Sequence, residues 1–383
     1  MSDPSVAFDA AHGVWLISSI PIEPSTLVVP YVFVNRSTDD GVSWSDPVTI
    51  PPPPTRTQAV NLDKNWTVCD DTSTSPFYGH CYTEFDNFGQ NDLEYMSTST
   101  DGGAHWSTPL PTADHAHGLG GQPLVQPDGT VIVPFESLQG TIAAFRSTDG
   151  GQSWSSAVPI SRIAFHPVAG GLRTSPLPTA EVDGAGNVYV AWEDCRFRSG
   201  CSSNDIVFSK SSDGVNWSPV ARVPIDPVTS GVDHFIPGLA VDRSTSGASA
   251  HLGLTYYYYP DAACTVTTCQ LDVGFISSPN GGAGWGAATP LAGPMSLSNI
   301  ADTSQGPMVG DYISTSFNSS GTAATVFAVG NAPTTEAFNE ALFAPSTPLS
   351  VATLAAAAER RARTGGVVVA PTGQGTTSRS TRR

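Results

Sequence analysis

Two arginines lie inside a short loop that two cysteines could close. The stretch Cys195-Arg-Phe-Arg-Ser-Gly-Cys201 places Arg196 and Arg198 two residues apart. A small disulfide ring would stiffen this loop. A stiff pair of guanidinium groups suits recognition of a carboxylate through charge-assisted hydrogen bonds. The alternative is that the bridge only orders a surface loop and that both arginines are solvated.

The six cysteines fall into three close pairs. They are Cys69/Cys81, Cys195/Cys201 and Cys264/Cys269. In a chain rich in Gly and Pro this spacing predicts three local disulfides and an oxidising compartment, with free buried thiols as the alternative. No Cys/His spacing indicates zinc, and Asp114-His-Ala-His117 lacks a third ligand nearby. We therefore expect no metal and no other cofactor.

A repeated motif of about eight residues organises the chain. Its pattern is Ser-x-Asp-x-Gly-x-x-Trp, with one residue missing in the fourth copy and Asn280 replacing Asp in the fifth. The five copies are Ser37–Trp44, Ser99–Trp106, Ser147–Trp154, Ser211–Trp217 and Ser278–Trp285. The Asp can accept hydrogen bonds from amides of its own turn, the Gly permits a positive φ, and the Trp packs the hairpin end onto its sheet. The motif is therefore structural.

The residues around each motif predict strands. In the fourth unit we predict strands at Thr174–Val182, Asn187–Glu193 and Asp205–Ser211, with Ser218–Val223 following the motif as a fourth. The same order recurs near residues 3–50, 62–110, 120–160 and 233–291. Repeated four-stranded units predict an all-β, six-bladed β-propeller with antiparallel blades. The sixth unit, 305–343, has no motif. We therefore expect an incomplete last blade, whose outer strand would normally come from the chain start.

Strand direction predicts the face that carries function. In antiparallel blades the motif turns lie on one face, while the blade starts and the second-to-third loops lie on the other. Propellers usually bind ligands on that second face, near the central channel. The polar side chains at the six blade starts are Asp3, Asp63, Lys64, His117, Arg173, Asp233, His234, Asp311 and Tyr312. We predict a binding site where they converge, with ordinary polar loop residues as the alternative.

These features resemble the sialidase superfamily, specifically bacterial BNR or Asp-box proteins of the exo-α-sialidase type, over residues 3–343. The resemblance implies removal of terminal sialic acid by a tyrosine nucleophile that a glutamate assists. An aspartate would act as acid/base, and three arginines would hold the substrate carboxylate. Asp311-Tyr312-Ile-Ser-Thr-Ser is similar to the stretch that holds the nucleophile. The run from Arg173 through Arg196 to Asp205 is similar to the segment that supplies two arginines and the acid.

The candidate site residues follow from this resemblance and from the blade starts. The catalytic candidates are Tyr312, Asp205 and Glu193, and the substrate-binding candidates are Arg173, Arg196, Arg198, His117, His234 and Lys64. The family's Arg-Ile-Pro motif is absent, and the matching segment lies in the fourth blade instead of the first. The third arginine would be Arg198 or Arg243, and a first-to-second turn would put Arg243 on the other face. The assisting glutamate could be Glu84, Glu136 or Glu193.

Two functions stay open at this point. One is a secreted glycoside hydrolase that acts on terminal sialic acid or a related acidic sugar. The other is a non-catalytic extracellular propeller that binds a glycan or a protein. A cluster of arginines facing a Tyr–Glu pair would favour the first function, and a pocket without such a pair would favour the second.

The charge is unevenly distributed. The formal net charge is −17, yet residues 351–383 hold six Arg and one Glu. Because the body is acidic, we expect no nucleic-acid partner. The sequence has no run of 18 apolar residues, so we expect no membrane span. We expect a monomer with a propeller at 1–349 and a disordered, dispensable basic tail at 350–383. We also expect an extracellular protein, although the chain carries no recognisable export signal.

Overall fold

The computed structural model describes residues 1–54, 60–334 and 339–351. The predicted basic tail lies outside these residues from position 352 onward, so that prediction stays untested. The described chain forms a six-bladed β-propeller of antiparallel sheets, which confirms the predicted fold.

The first three blades follow the chain order. Blade 1 contains β1 (Ser2–Asp9), β2 (Val14–Ile20), β3 (Val32–Ser37) and β4 (Val48–Ile50). Blade 2 contains β5 (Leu62–Cys69), β6 (Cys81–Asn87), β7 (Leu93–Ser99) and β8 (Leu110–Pro111). Blade 3 contains β9 (Gly118–Leu119), β10 (Leu124–Val125), β11 (Val131–Ser137), β12 (Thr141–Ser147) and β13 (Val158–Arg162). The innermost strand of blade 3 is split, because β9 and β10 both pair with β11.

The last three blades continue the ring. Blade 4 contains β14 (Thr179–Val182), β15 (Val188–Asp194), β16 (Asp205–Ser211) and β17 (Ala221–Arg222). Blade 5 contains β18 (Asp233–Val241), β19 (Leu252–Tyr259), β20 (Gln270–Ser278) and β21 (Thr289–Ser296). A hairpin of β22 (Asp302–Thr303) and β23 (Gly306–Pro307) precedes blade 6, which contains β24 (Ser314–Phe317), β25 (Thr322–Asn331), β26 (Asn339–Phe343) and β27 (Leu349–Ser350). Short 3₁₀ helices lie at Phe88–Gln90, Ala169–Gly171, Ser199–Cys201, Gly247–Ser249 and Leu297–Asn299.

Blade 6 is incomplete, as the sequence predicted. β26 and β27 both pair with β25 on the side away from β24, so together they form a split third strand. Among the described residues no fourth strand follows. The chain start instead forms β1, the innermost strand of blade 1.

Five hydrophobic clusters hold neighbouring blades together. Each cluster joins one blade to the next, from blades 1 and 2 through to blades 5 and 6. The second strands are buried on both faces, which explains continuous apolar runs such as Val188–Trp192. The four tyrosines of β19 show the same division. Tyr256 packs toward blade 4, while Tyr257 and Tyr259 pack toward blade 6.

The seam between blades 6 and 1 is different. None of the five clusters among the described residues joins these two blades. On β1, Ala7 packs toward blade 2, so alternation turns Val6 and Phe8 toward blade 6. Val6 is 59% exposed there, and Val326 of blade 6 is 42% exposed. The ring is therefore open at this seam.

The repeated motifs are turns between the third and fourth strands. In the first copy Asp39 Oδ1 accepts from the Ser43 amide at 2.9 Å, and Trp44 Nε1 donates to the Gly41 carbonyl at 3.1 Å. In the fifth copy Asn280 Oδ1 accepts from the Gly284 amide at 2.7 Å, so the amide side chain replaces the carboxylate. We call the face that carries these turns the Asp-box face and the opposite face the mouth face.

All three predicted disulfides are present. Cys69 and Cys81 lie directly opposite each other on β5 and β6, with 4.0 Å between their Cα atoms. Cys195–Cys201 and Cys264–Cys269 each close a second-to-third loop, with Cα separations of 4.9 Å. No helix among the described residues has the length and apolar character needed to cross a bilayer.

Candidate functional site

Bulges near the start of three innermost strands shape the mouth of the channel. Blades 1, 2 and 5 each insert one extra residue on the first strand opposite the second strand. The inserted segments hold Asp3, Lys64 and Ile236 in the left-handed region, at φ 46°, 54° and 48°. Such backbone is unfavourable for these residue types, and bulges of this kind redirect side chains. In blades 1 and 2 the residues held this way are charged, and they belong to the cluster around Tyr312.

Tyr312 lies in the channel directly before β24. Its ring is nearly perpendicular to that of Trp66, with 5.4 Å between ring centroids. Lys64 Nζ lies 5.5 Å from the centre of the same ring, which is a cation–π distance. Two residues of blade 2 therefore contact the ring of Tyr312, although Tyr312 belongs to blade 6.

One aspartate binds both cations of this cluster. Asp311 Oδ2 accepts from Arg173 Nη2 at 2.7 Å and also pairs with Lys64 Nζ. Lys64 and Asp311 are nearly buried, whereas the Arg173 side chain keeps 26% exposure. Side chains from blades 2, 4 and 6 therefore meet at Asp311, and this ion-pair group occupies the centre of the mouth.

The environment of Tyr312 disfavours its phenolate. Burial raises the pKa of the Tyr312 hydroxyl well above its usual value, and the nearby carboxylates of Asp3, Asp311 and Asp63 add to the effect. A tyrosine nucleophile needs the opposite environment, with a base beside it and positive charge around it. The described residues supply no hydrogen-bond partner for the Tyr312 hydroxyl.

Glu84, the carboxyl group of blade 2 that lies toward Tyr312, is occupied elsewhere. Burial raises the pKa of Glu84 well above its usual value, and the neighbouring carboxyl group of Glu94 adds to the rise. Burial also raises the pKa of Glu94 to about 7. Both carboxyl groups therefore hold a proton more strongly than an exposed glutamate does. A protonated Glu84 cannot act as a base toward Tyr312.

A long connection covers the mouth. Residues 163–178 leave the outer strand of blade 3, and His166 exchanges hydrogen bonds with Asn204 of blade 4 at 2.7 and 2.8 Å. Leu172 then joins the hydrophobic cluster of blades 5 and 6, and the Arg173 amide donates to the Pro307 carbonyl at 2.8 Å. Ser175, Leu177 and Pro178 line the remaining void beside Tyr312, whose volume is about 10 Å³. This is room for about one water molecule at most.

Arg196 shares the mouth face but binds away from Tyr312. Its guanidinium group donates to Asp194 at 2.7 and 2.8 Å and to Ser161 Oγ at 2.9 Å. It also donates to the Arg162 carbonyl. Ser161 and Arg162 lie on the outer strand of blade 3, so the structure brings Arg173 to Tyr312 and directs Arg196 outward.

Arg198 and Asp205 lie in a buried ion-pair network. Arg198 donates to Asp205 at 2.6 Å and to Asp226 at 2.7 Å, and Arg222 bonds to the same two carboxylates. The Arg198 side chain is fully buried, so the network stabilises the second-to-third loop of blade 4. The structure does not bring either residue to Tyr312.

The remaining candidates lie between blades. Glu193 is buried and accepts from the Ile236 amide at 2.7 Å, so it holds the bulge of blade 5. His234 packs against the rings of Tyr256 and Tyr258, and burial lowers its pKa to about 4. His117 bonds through Nδ1 to the Asn91 carbonyl at 2.7 Å, in a surface cleft between blades 2 and 3. None of the three contacts the Tyr312 cluster, and their roles in binding stay predictions.

Sequence reasoning missed two members of the cluster. Trp66 was not a candidate, although its position two residues after Lys64 on an alternating strand could have indicated the channel. Glu84 was a candidate for the assisting glutamate, but its neighbour Glu94 was missed, because only the register of β6 and β7 places the two carboxyl groups on one face of the sheet. The cluster itself, with Asp63, Lys64, Arg173, Asp311 and Tyr312, consists of residues that the blade starts indicated.

Comparisons with known proteins agree with this architecture. Residues 3–172 match the BNR repeat-like domain family. The fold is similar to that of the Hadza microbial sialidase Hz136, at 14% identity and a TM-score of 0.52, over 90% of this chain and 65% of that one. It is also similar to the NanB sialidase from Streptococcus pneumoniae, at 12% identity and a TM-score of 0.50, over 85% of this chain and 64% of that one. No curated protein matches the sequence.

A third structure is a protein of unknown function from Dyadobacter fermentans, at 15% identity and a TM-score of 0.51, over 89% of this chain and 92% of that one. The chain spans slightly less than two thirds of the length of the two sialidases. At these identities the likeness shows the fold alone. The protein is therefore a β-propeller of the sialidase type. The match of residues 3–172 to the BNR repeat-like domain family confirms the predicted resemblance to BNR-repeat proteins with a sialidase-like fold.

Proposed function

We propose that this chain is an extracellular propeller of the sialidase type that binds glycans without hydrolysing them. One observation carries the proposal: Asp311 binds both Lys64 and Arg173 at the position where a substrate carboxylate would need them. The three disulfides support an oxidising compartment outside the cytoplasm. The solved sialidases of similar fold act on sialic acid, and this supports a glycan as the ligand class.

The charge at the mouth opposes an acidic sugar. Two cations, Lys64 and Arg173, face three aspartates, Asp3, Asp63 and Asp311, so the formal sum of these five groups is −1. A sialic acid carboxylate would have to displace Asp311 and leave that carboxylate unpaired in a nearly buried site. Removing one partner from a buried ion pair costs several kcal/mol. The void beside Tyr312, about 10 Å³, is itself too small for a sugar ring.

A sialic acid hydrolase is the second candidate, and one observation favours it. Tyr312, Glu84, Arg173 and Lys64 come from three blades and still meet at one mouth. If residues 174–178 moved outward while Arg173 stayed in place, these four groups would line an open pocket. Hydrolysis would then need Asp311 to release Arg173 and Glu84 to lose its proton.

Hydrolysis of a fluorogenic sialoside, with a panel of other glycosides, separates the two candidates. We expect no turnover above that of a Tyr312→Phe variant. Tyr78→Phe is the matched control, because Tyr78 is an exposed surface residue. Turnover that Tyr312→Phe abolishes and Tyr78→Phe retains would establish the hydrolase. Binding of the wild-type protein to immobilised glycans tests the other half of the proposal, and failure to retain any glycan would refute it.

A further inference from the structure

The channel contains a second space at its other end. On the Asp-box side a cavity of about 270 Å³ is lined by the innermost strands of all six blades. Its polar wall includes Asp71, Glu181, Arg243, Ser314 and Ser316, and Phe8 contributes an aromatic ring. The small void beside Tyr312 adjoins this cavity, because Trp66, Gln122, Thr179 and Ile313 line both spaces.

Arg243 differs from the other basic residues of this face. Arg36, Arg146 and Lys210 each donate to a backbone carbonyl in the motif turn of the next blade, at 2.6, 2.6 and 3.1 Å. Arg243 is exposed, and in the described part of the chain its guanidinium group has no ion pair or hydrogen bond. It follows β18 directly and lies in the first-to-second turn of blade 5. Its donors are therefore available to a ligand.

Two carboxylates flank this arginine. The positive charge of Arg243 partly offsets the rise in pKa that burial causes at Glu181 and Asp71, so all three groups share one electrostatic environment. Asp71 Oδ1 accepts from the Ala10 amide at 2.8 Å, which fixes the carboxylate and leaves its second oxygen for a ligand. Glu181 projects from β14, and apart from the Val182 amide its carboxylate has no ion-pair or hydrogen-bond partner among the described residues. Donors and acceptors thus converge on one cavity.

The open seam gives a ligand access from the side. Val6 and Phe8 of β1 line the cavity together with Ser314 and Ser316 of β24. These four residues lie on the facing sides of blades 1 and 6. At the other seams the corresponding sides are covered by the neighbouring blade, but here Val6 is 59% exposed. A ligand could therefore enter without movement of the covered mouth.

We propose that this cavity binds one pyranose unit of a neutral or amino sugar. A space of about 270 Å³ is suited to a single sugar ring. Carboxylate oxygens accept hydrogen bonds from neighbouring hydroxyl groups or an amine, an arginine donates to ring and hydroxyl oxygens, and the Phe8 ring can cover an apolar sugar face. Asp71, Glu181 and Arg243 have a formal sum of −1, which disfavours an acidic sugar. The inference rests on the proposed function, glycan binding without cleavage, and specifies where and what the protein binds.

Saturation-transfer NMR and calorimetry with methyl glycosides of galactose, glucose, N-acetylglucosamine and glucosamine test this proposal, with sialic acid as the acidic comparison. We expect saturable binding of at least one neutral or amino glycoside and weaker binding of sialic acid. Arg243→Ala and Glu181→Gln should each weaken that binding about tenfold or more, because each removes a charge-assisted hydrogen bond. Arg162→Ala is the matched control, an exposed arginine on the mouth face.

Each outcome decides a separate point. Absence of saturable binding by the folded wild-type protein, or unchanged affinity in Arg243→Ala, would overturn the site. Tighter binding of sialic acid than of every neutral or amino glycoside would overturn the ligand class. Turnover of the fluorogenic sialoside would overturn the non-hydrolytic function and leave the binding result at this cavity intact. Equal thermal transitions of the three variants would show that an affinity change does not come from unfolding.

Discussion

Arg173 Nη2 lies 2.7 Å from Asp311 Oδ2, so an ion pair links the start of blade 4 to the start of blade 6. The two residues are 138 positions apart in sequence, and blade 5 separates their sheets. The pair therefore spans the channel mouth. Because Lys64 of blade 2 binds the same carboxylate, Asp311 connects three alternate blades of a ring that is open at one seam.

Asp311→Asn should destabilise the fold. The change leaves the nearly buried Lys64 without its direct ion pair, and breaking a buried pair in this way costs about 3 kcal/mol. Guanidinium denaturation would measure the loss in free energy of unfolding. Adding Lys64→Met should recover at least half of it, because the buried charge is then removed.

The matched control for this experiment is Asp302→Asn. Asp302 is exposed and has no ion pair among the described residues, so its change should cost less than about 0.5 kcal/mol. Equal stability of Asp311→Asn and Asp302→Asn would show that the three-blade ion-pair group contributes nothing to the fold.

The disulfides should contribute unequally. Replacing Cys69 and Cys81 with Ala should lower the free energy of unfolding by about 3 kcal/mol, and replacing Cys264 and Cys269 by about 2 kcal/mol, because the first bridge closes the longer loop. Urea denaturation under non-reducing conditions would measure both losses. Peptide mass spectrometry of the exported protein supplies the check on pairing, and free thiols at all six positions would contradict the bridges.

Local sequence patterns were sufficient to predict the fold. The third strand of blade 4 runs over Asp205–Ser211, as predicted, because alternation and the following motif both fix its end. The first strand of that blade begins at Thr179 instead of Thr174. Residues 174–178 instead belong to the connection at the channel mouth, and no periodic pattern in the sequence distinguishes them from the strand that follows.

The candidate site was predictable only in part. Strand direction brought Lys64, Arg173 and Tyr312 to one face, since each begins a blade. Side-chain pairing was not predictable, because Lys64 and Asp311 are 247 residues apart and several acceptors compete for each cation. Arg198 shows the difficulty: its position beside Arg196 suggested a ligand, yet Asp205 and Asp226 bury it completely.

Glu136 should make stability fall as the pH rises. Burial raises the pKa of Glu136 from its ordinary value of 4.5 to about 7. The native state therefore holds a proton that the unfolded state loses between these values. Its contribution is fully present below about pH 4.5 and is lost as the pH passes 7, and it is at most about 3 kcal/mol.

Glu136→Gln tests this linkage, because glutamine has the same shape and does not ionise. Denaturation curves at pH 4.5 and pH 8 should show similar stability of variant and wild type at the lower pH and a gain of about 2 kcal/mol for the variant at the higher pH. Glu23→Gln, at an exposed position, should show no such pH-dependent gain. A Glu136→Gln variant with the same small difference at both pH values would contradict a buried, protonated Glu136.

Tyr257 should be essential for the contact between blades 5 and 6. The inner strand β24 pairs with β25 only as far as Val326, so the inner backbone groups of Ala328 have no strand partner. The Tyr257 hydroxyl replaces that partner: it donates to the Ala328 carbonyl and accepts from the Ala328 amide, each at 2.9 Å. Tyr257→Phe would leave both buried backbone groups unpaired, which should cost about 2–3 kcal/mol.

Tyr259→Phe on the same strand is a close control, because the buried Tyr259 hydroxyl has no hydrogen-bond partner among the described residues, and its loss should be neutral or slightly stabilising. Urea denaturation of both variants measures the difference, and equal stability of Tyr257→Phe and Tyr259→Phe would mean that this hydroxyl does not hold blade 6 in place.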